Sequence, residues 1–185
     1  DFYRFWVDII EDCINHTNKS INIKLEKKYN FSLLTNNEKI RALSKIKSYC
    51  KSVNYVENMR IINDLQKITD YKASVEHAKN YEKIEWVDLI EMNSEENFTI
   101  GGHSLYHNIL SQLDSTRLEK EISCSLDLLN INLNENIKHY SYPEGQENHF
   151  NEETINILKK HKIICSPSAI PGLNKVETDL FYLKR

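Results

Sequence analysis

An α/β fold is predicted for the second part of this 185-residue chain, preceded by a mainly helical segment with a small β element. Three observations carry that prediction. Apolar residues recur at helical spacing through the first 80 positions, and from residue 97 short apolar strands alternate with amphipathic helices. The charge also changes sign, with 14 basic against 10 acidic residues up to position 80 and 10 against 17 beyond it. Strands joined through helical crossovers pair in parallel, which gives the α/β class.

In the first part, Phe5, Trp6, Ile9, Ile10 and Cys13 fall on one helical stripe. Ile40, Leu43, Ile46 and Tyr49 form a second stripe behind a cap at Thr35 or Asn36, and Met59, Ile62, Leu65 and Ile68 a third over residues 56–69. Between the first two, Ile21, Ile23 and Leu25 alternate with polar residues, and Phe31, Leu33 and Leu34 follow a polar break, the pattern of a short hairpin. In the second part, Phe98-Thr99-Ile100 runs into Gly101-Gly102, a strand ending at a tight turn. A helix is predicted over residues 115–129 with Ser115 as cap and Leu118, Ile122, Leu126 and Leu129 inward. Lys138 to Tyr142 reads as a strand stopped by Pro143-Glu144-Gly145, and Asn151 caps a helix over residues 152–161. Residues 163–165 and 180–183 read as two further strands.

Composition removes several classes. A net charge of −3 argues against a nucleic-acid partner held by bulk charge. No apolar run approaches the ~20 residues of a membrane helix, and the start has none of the layout of a signal peptide. The chain reads as a soluble domain, its parent cytoplasmic or cell-envelope associated. Cys13, Cys50, Cys124 and Cys165 form no CxxC pair and read as buried thiols. The chain starts with Asp1, so a processed or excised chain is expected.

The chemistry concentrates at Thr99-Ile100-Gly101-Gly102-His103-Ser104-Leu105-Tyr106-His107-Asn108. Two imidazoles four residues apart can face one side of a helical turn, and just after a strand they sit at the carboxyl edge of a parallel sheet, where α/β sites form. Neutral imidazole is a preferred zinc ligand. A metalloprotease motif needs Glu directly after the first His, and Ser104 stands there.

Gly-Gly-His-Ser-x-x-His followed by Ile-Leu, the helix around Leu118 to Leu129, and Tyr140-Ser141-Tyr142-Pro143-Glu144-Gly145 together resemble the polysaccharide deacetylase family, also called the NodB homology domain or carbohydrate esterase family 4. The resemblance covers residues 81–185, and Pro171 to Asn174, Thr178 to Phe181 and Arg185 resemble the late segment of its surface-polysaccharide subgroup. It implies a distorted (β/α) barrel, present here in part, with residues 1–80 as a helical amino-terminal insertion. It further implies a divalent ion, zinc by the chemistry of its ligands, held by His103 and His107 with an Asp, while a second Asp acts as general base on a water that attacks an acetyl carbonyl, most simply N-acetyl. Ser104, Tyr142, Pro143 and Gly145 would contact substrate, and the backbone N–H of Glu144 would serve the oxyanion. The partner would be an acetylated glycan of the cell envelope.

Three departures accompany the resemblance. The family's Asp-Asp motif occurs nowhere in the sequence, Ser141 and Glu144 stand where classical members carry Arg and often Tyr, and no late Leu-x-His occurs. The chain on its own is therefore expected to be inactive or nearly so, as a fragment of its parent, and a barrel lacking its first strands is expected to self-associate through an open edge. The rival expectation is a non-catalytic module binding a glycan or a protein. His16, His77, His149 and His161 carry no partner pattern and are expected to be solvated, and His139 to be packed or at the surface.

Overall fold

The computed structural model describes residues 4–72 and 84–185, in two compact units, Asp1–Glu82 and Lys83–Arg185. His77 and the boundary placed after residue 80 lie outside the described residues.

In the first unit, α1 (Trp6–His16), α2 (Asn36–Ser52) and α3 (Tyr55–Thr69) pack around one core with the hairpin of β1 (Ile21–Lys24) and β2 (Lys28–Phe31). Thr35 starts α2 through a reciprocal capping box: its hydroxyl accepts from Glu38 N–H, and the Glu38 carboxylate accepts from Thr35 N–H at 2.9 Å. The hairpin pairs antiparallel in the register Ile21↔Phe31 and Ile23↔Tyr29, which turns Ile21 and Ile23 inward. The second strand thus begins at Lys28, ahead of the apolar group that predicted it. Ile10, Ile14, Leu33, Ile46, Ile61 and Leu65 are fully enclosed. Ile40 and Ile68, expected inside, stand at the surface, because Ala42, Ile46 and Cys50 supply the inner stripe of α2 and Ile61, Ile62 and Leu65 that of α3. Arg4, Asn58 and Thr69 are polar residues buried in the same unit. Arg4, paired with Asp12, donates to the Tyr71 hydroxyl at 2.8 Å, and that hydroxyl donates to Asp12 at 2.8 Å, so the buried charge is matched and hydrogen-bonded.

The second unit holds α4 (Trp86–Ser94), a single 3-10 turn (Leu110–Gln112), α5 (Ser115–Leu133) and α6 (Glu152–Lys160). Helix α5 starts one residue earlier than its predicted cap: the Asp114 carboxylate accepts from Arg117 N–H at 3.0 Å, leaving Ser115 inside the first turn. Asn151 caps α6 as expected. The four predicted strands appear as extended segments linked by isolated parallel bridges, Gly102↔Tyr140, His139↔Cys165 and Pro167↔Leu183. Each bridge is hydrogen-bonded: Gly102 N–H donates to His139 at 2.9 Å, Tyr140 N–H to Cys165 at 3.0 Å, and Ser168 N–H to Leu183 at 2.8 Å. The spatial order of the segments therefore follows their chain order, with α5 and α6 as the crossovers between the first three. Leu118, Ile122 and Leu126 of α5, Ile155 and Leu158 of α6, and Tyr140 are buried in this unit.

Gly102 is required by this packing. A Cβ built there would lie 2.6 Å from the Tyr140 ring and 3.1 Å from Leu126, so only a bare backbone lets the first segment approach the second.

Candidate functional site

The carboxyl ends of these segments surround a polar cavity of about 320 Å³. His103 and His107 form one side, Ser141, Tyr142 and Glu144 a second, and Ser168, Ala169 and Arg185 a third. The two imidazoles meet edge to face, with ring centroids 4.9 Å apart and planes at 69°.

No helical turn joins them. Residues 103–109 run as an irregular loop in which Ser104 (φ 67°) and His107 (φ 57°) are left-handed, so the expected one-turn spacing is replaced by two backbone reversals that bring the rings back together. Left-handed non-glycine residues cost about 1–3 kcal/mol each and persist where their surroundings hold them. Here the hold is visible. The buried Glu121 carboxylate on α5 accepts from Tyr106 N–H at 2.8 Å, fixing the middle of the loop from below. His103 Nδ1 lies 2.8 Å from the Ser141 carbonyl oxygen; because that oxygen can only accept, Nδ1 carries a proton, and in the neutral ring the lone pair is then on Nε2.

The opposite wall is equally constrained. Gly145 N–H donates back to Pro143 C=O at 2.7 Å, closing a three-residue turn whose centre, Glu144, has φ 61°. Gly145 itself has φ 63°, and Ala169 N–H donates to its carbonyl at 2.8 Å, where a Cβ on residue 145 would lie 2.7 Å from that nitrogen. Tyr142 is buried, stacks on Phe150 at 3.9 Å, and donates its hydroxyl to Phe181 C=O at 3.0 Å; burial pushes its phenol above the ordinary tyrosine range.

Of the residues singled out in the sequence, His103, His107, Tyr142 and Glu144 line the cavity. Ser104, Pro143 and Gly145 belong to its loops without contributing to its lining, and the Ser104 hydroxyl oxygen is buried. Ser168 and Ala169 carried no signal, since they follow the 163–165 strand in a polar stretch without a motif. Arg185 was noted only for its likeness to the family's late segment. Two histidines depart from expectation. His149 is buried, its Nδ1 accepting from Gln146 N–H at 3.2 Å, and His161 is half-buried with Nε2 2.9 Å from Glu119. Lys160 and His161 together hold the Glu119 carboxyl below its usual range, at a distance from the cavity in sequence and role.

Two imidazoles sharing a cavity, one with its tautomer fixed by a backbone carbonyl, suit a divalent ion as two of its ligands. Among the described residues, no group of three or more His, Cys, Asp or Glu side chains converges as a complete metal site. The donor chemistry thus fits a metal in part, and the third donor is not among the side chains gathered here.

The family profile described as polysaccharide deacetylase matches residues 57–165, more than half of the chain, and the chain belongs to that family. Among solved structures, it is similar to the Streptococcus pyogenes deacetylase PplD in complex with acetate, with a TM-score of 0.52 at 20% identity. That similarity covers 68% of this chain and 57% of PplD, so the chain spans little more than half of that protein, and at this identity the likeness concerns the fold. No curated protein matches the chain. Among the described residues, no helix is long and apolar enough to cross a membrane.

Proposed function

We propose that the cavity is the acetyl-group site of a metal-dependent polysaccharide deacetylase, acting on N-acetyl groups of a cell-envelope glycan, within a partial (β/α) barrel to which residues 1–80 are an insertion. The observation that carries this reading is the meeting of His103 and His107 in one cavity with the Tyr142 to Gly145 turn. His103 Nε2 and a nitrogen of His107 would hold the ion, which when bound supplies Lewis acidity to the acetyl carbonyl. The protein's own part is placement. The Ser141 carbonyl fixes the His103 ring, Glu121 fixes the loop between the imidazoles, and the backbone N–H of Glu144 is assigned to the developing oxyanion.

The sequence holds no Asp-Asp pair, so the general base and a carboxylate ligand are not assigned to any residue. The chain alone is expected to release little acetate.

Zinc or cobalt titration of the wild type, His103→Ala and His107→Ala tests the metal, and acetate release from an N-acetylated oligosaccharide tests the reaction. One metal per chain, lost in both variants, supports the reading. Equal binding by all three proteins sinks it and favours the alternative, a non-catalytic module that binds a glycan or a protein, which the incomplete ligand set among the described residues also suits.

A further inference from the structure

We infer that the outward face of the hairpin in the first unit binds an anionic glycan, one uronate sugar spanning two rungs with its carboxylate on Lys24 and Lys28 and its hydroxyls on Asn22 and Asn30. The inference concerns the first unit alone and does not depend on the acetyl-site reading. Strand alternation divides the hairpin into two faces. Ile21, Ile23, Tyr29 and Phe31 pack on the core, and Asn22, Lys24, Lys28 and Asn30 are exposed on the other side. A cavity of about 570 Å³ lies there, lined by those four residues with Ile23 and Tyr29. Its backbone is anchored from α3. Arg60 donates to the Lys24 carbonyl at 2.8 Å while its guanidinium is bound to Glu57 and to Asp64, each at 2.6 Å.

The outward rungs carry an uncompensated cost. Lys24 lies directly opposite Lys28, and Asn22 directly opposite Asn30. Like charges on one rung, with Cα atoms about 4.5–5.5 Å apart, oppose hairpin formation. Among the described residues neither lysine is in an ion pair. The carboxylates beside the hairpin are engaged elsewhere: Glu26 accepts from Lys45 at 2.6 Å and from the Tyr29 hydroxyl, and Glu57 accepts from Arg60. An anion between the two ammonium groups turns their repulsion into attraction. On the neighbouring rung, Asn30 Nδ2 donates to Asn22 Oδ1 at 2.9 Å. That bond aligns the two carboxamides, with the Asn22 N–H groups as donors and the Asn30 carbonyl as acceptor for hydroxyls. The two rungs lie about 6.8 Å apart along the strand, the reach of one hexuronate from its carboxylate to its far ring hydroxyls. Tyr29 packs on the core with Lys45 over its ring at 5.2 Å, so the face presents no exposed aromatic anchor of the kind that a protein partner or a stacked nucleic-acid base would use.

The full chain is titrated with tetragalacturonate, its methyl ester, tetraglutamate and a thymidine tetranucleotide, while the backbone and carboxamide N–H signals of residues 22–30 are followed by NMR. Tetragalacturonate is expected to bind saturably, to move the Asn22 and Asn30 carboxamide signals, and to weaken as salt is added. The methyl ester keeps the sugar and removes the charge, and should bind at least about tenfold more weakly. Lys24→Gln and Lys28→Gln should each lose about threefold in affinity and the double variant about tenfold, while Asn22→Ala loses about threefold with its salt dependence unchanged. Tetraglutamate or the tetranucleotide binding as tightly as tetragalacturonate would overturn the glycan as the occupant. No saturable binding, a methyl ester as tight as the acid, an unchanged double variant, or shifts that leave residues 22–30 untouched would overturn the surface itself. The comparison among probes uses the wild type and needs no variant to fold. Without ligand, the double variant is expected to melt no lower than the wild type, because it removes the like-charge rung; a clear loss of thermal stability would overturn the surface by showing the two lysines to be structural.

Discussion

His103 Nδ1 sits 2.8 Å from the carbonyl oxygen of Ser141, tying the loop after the first parallel segment to the segment beside it. A backbone acceptor does in this site what a carboxylate often does beside a metal-ligating histidine: it selects the tautomer and stops the ring from turning. It also cannot be removed by changing a side chain.

In its neutral form the His103 ring is therefore expected to carry its proton on Nδ1. Long-range ¹H–¹⁵N correlation spectra distinguish the two tautomers directly, and a proton on Nε2 would contradict the arrangement.

Glu121 holds the loop through a charge-assisted bond to Tyr106 N–H while itself buried. Glu121→Ala leaves that amide without its acceptor and is expected to cost about 1–3 kcal/mol in urea unfolding of the second unit. Glu121→Gln keeps an acceptor oxygen and should recover most of the loss. Weaker zinc binding in the Ala variant alone would tie the same bond to the site.

Gly102→Ala forces a methyl into the Tyr140 ring and Leu126. Overpacking of this kind costs about 1–3 kcal/mol and should lower the thermal unfolding temperature; because the residue adjoins His103, the proposed metal site predicts that zinc affinity falls with it.

Burial pushes the Cys13 thiol up to about 11 and the Cys50 thiol up to about 12, from an ordinary value of 9.0. The folded state thus holds these protons more tightly than the unfolded chain does. Their contribution to stability is complete below pH 9.0 and is lost as pH rises through about 11 for Cys13 and about 12 for Cys50. The first unit should unfold more readily across that alkaline window. At pH 8 the Cys13 thiol should react about 100-fold and the Cys50 thiol about 1,000-fold more slowly with a thiol reagent than after denaturation, measured by mass spectrometry of labelled peptides.

Thr35→Ala removes the hydroxyl half of the capping box on α2 and should cost about 1 kcal/mol in urea unfolding, with Thr35→Ser close to wild type.

How far the sequence reveals this molecule depends on whether the determinant is local. Helix α3 was predicted within one residue, and the caps Thr35 and Asn151 were readable because a side chain and an amide three positions on settle them. Ile40 and Ile68 were misplaced because an apolar stripe shows spacing but not which of two adjacent faces meets its neighbours. The histidine pair was legible as a motif, yet its geometry was not. Periodicity assumes helical backbone, and Ser104 and His107 are left-handed for reasons that lie on α5, in Glu121. Likewise, Ser168, Ala169 and Arg185 reach the cavity only through parallel pairing with distant segments, which no window along the chain contains. Buried His149 was missed because its partner is a backbone amide, invisible in residue types.

The walls of the cavity come from four stretches that are neighbours only once the parallel bridges have closed. Any small molecule that occupies it engages the closed form and has nothing comparable to grip in the open chain. Occupancy and folding of the second unit are consequently one coupled equilibrium, so a rise in melting temperature with ligand concentration reports binding even where no turnover can be seen.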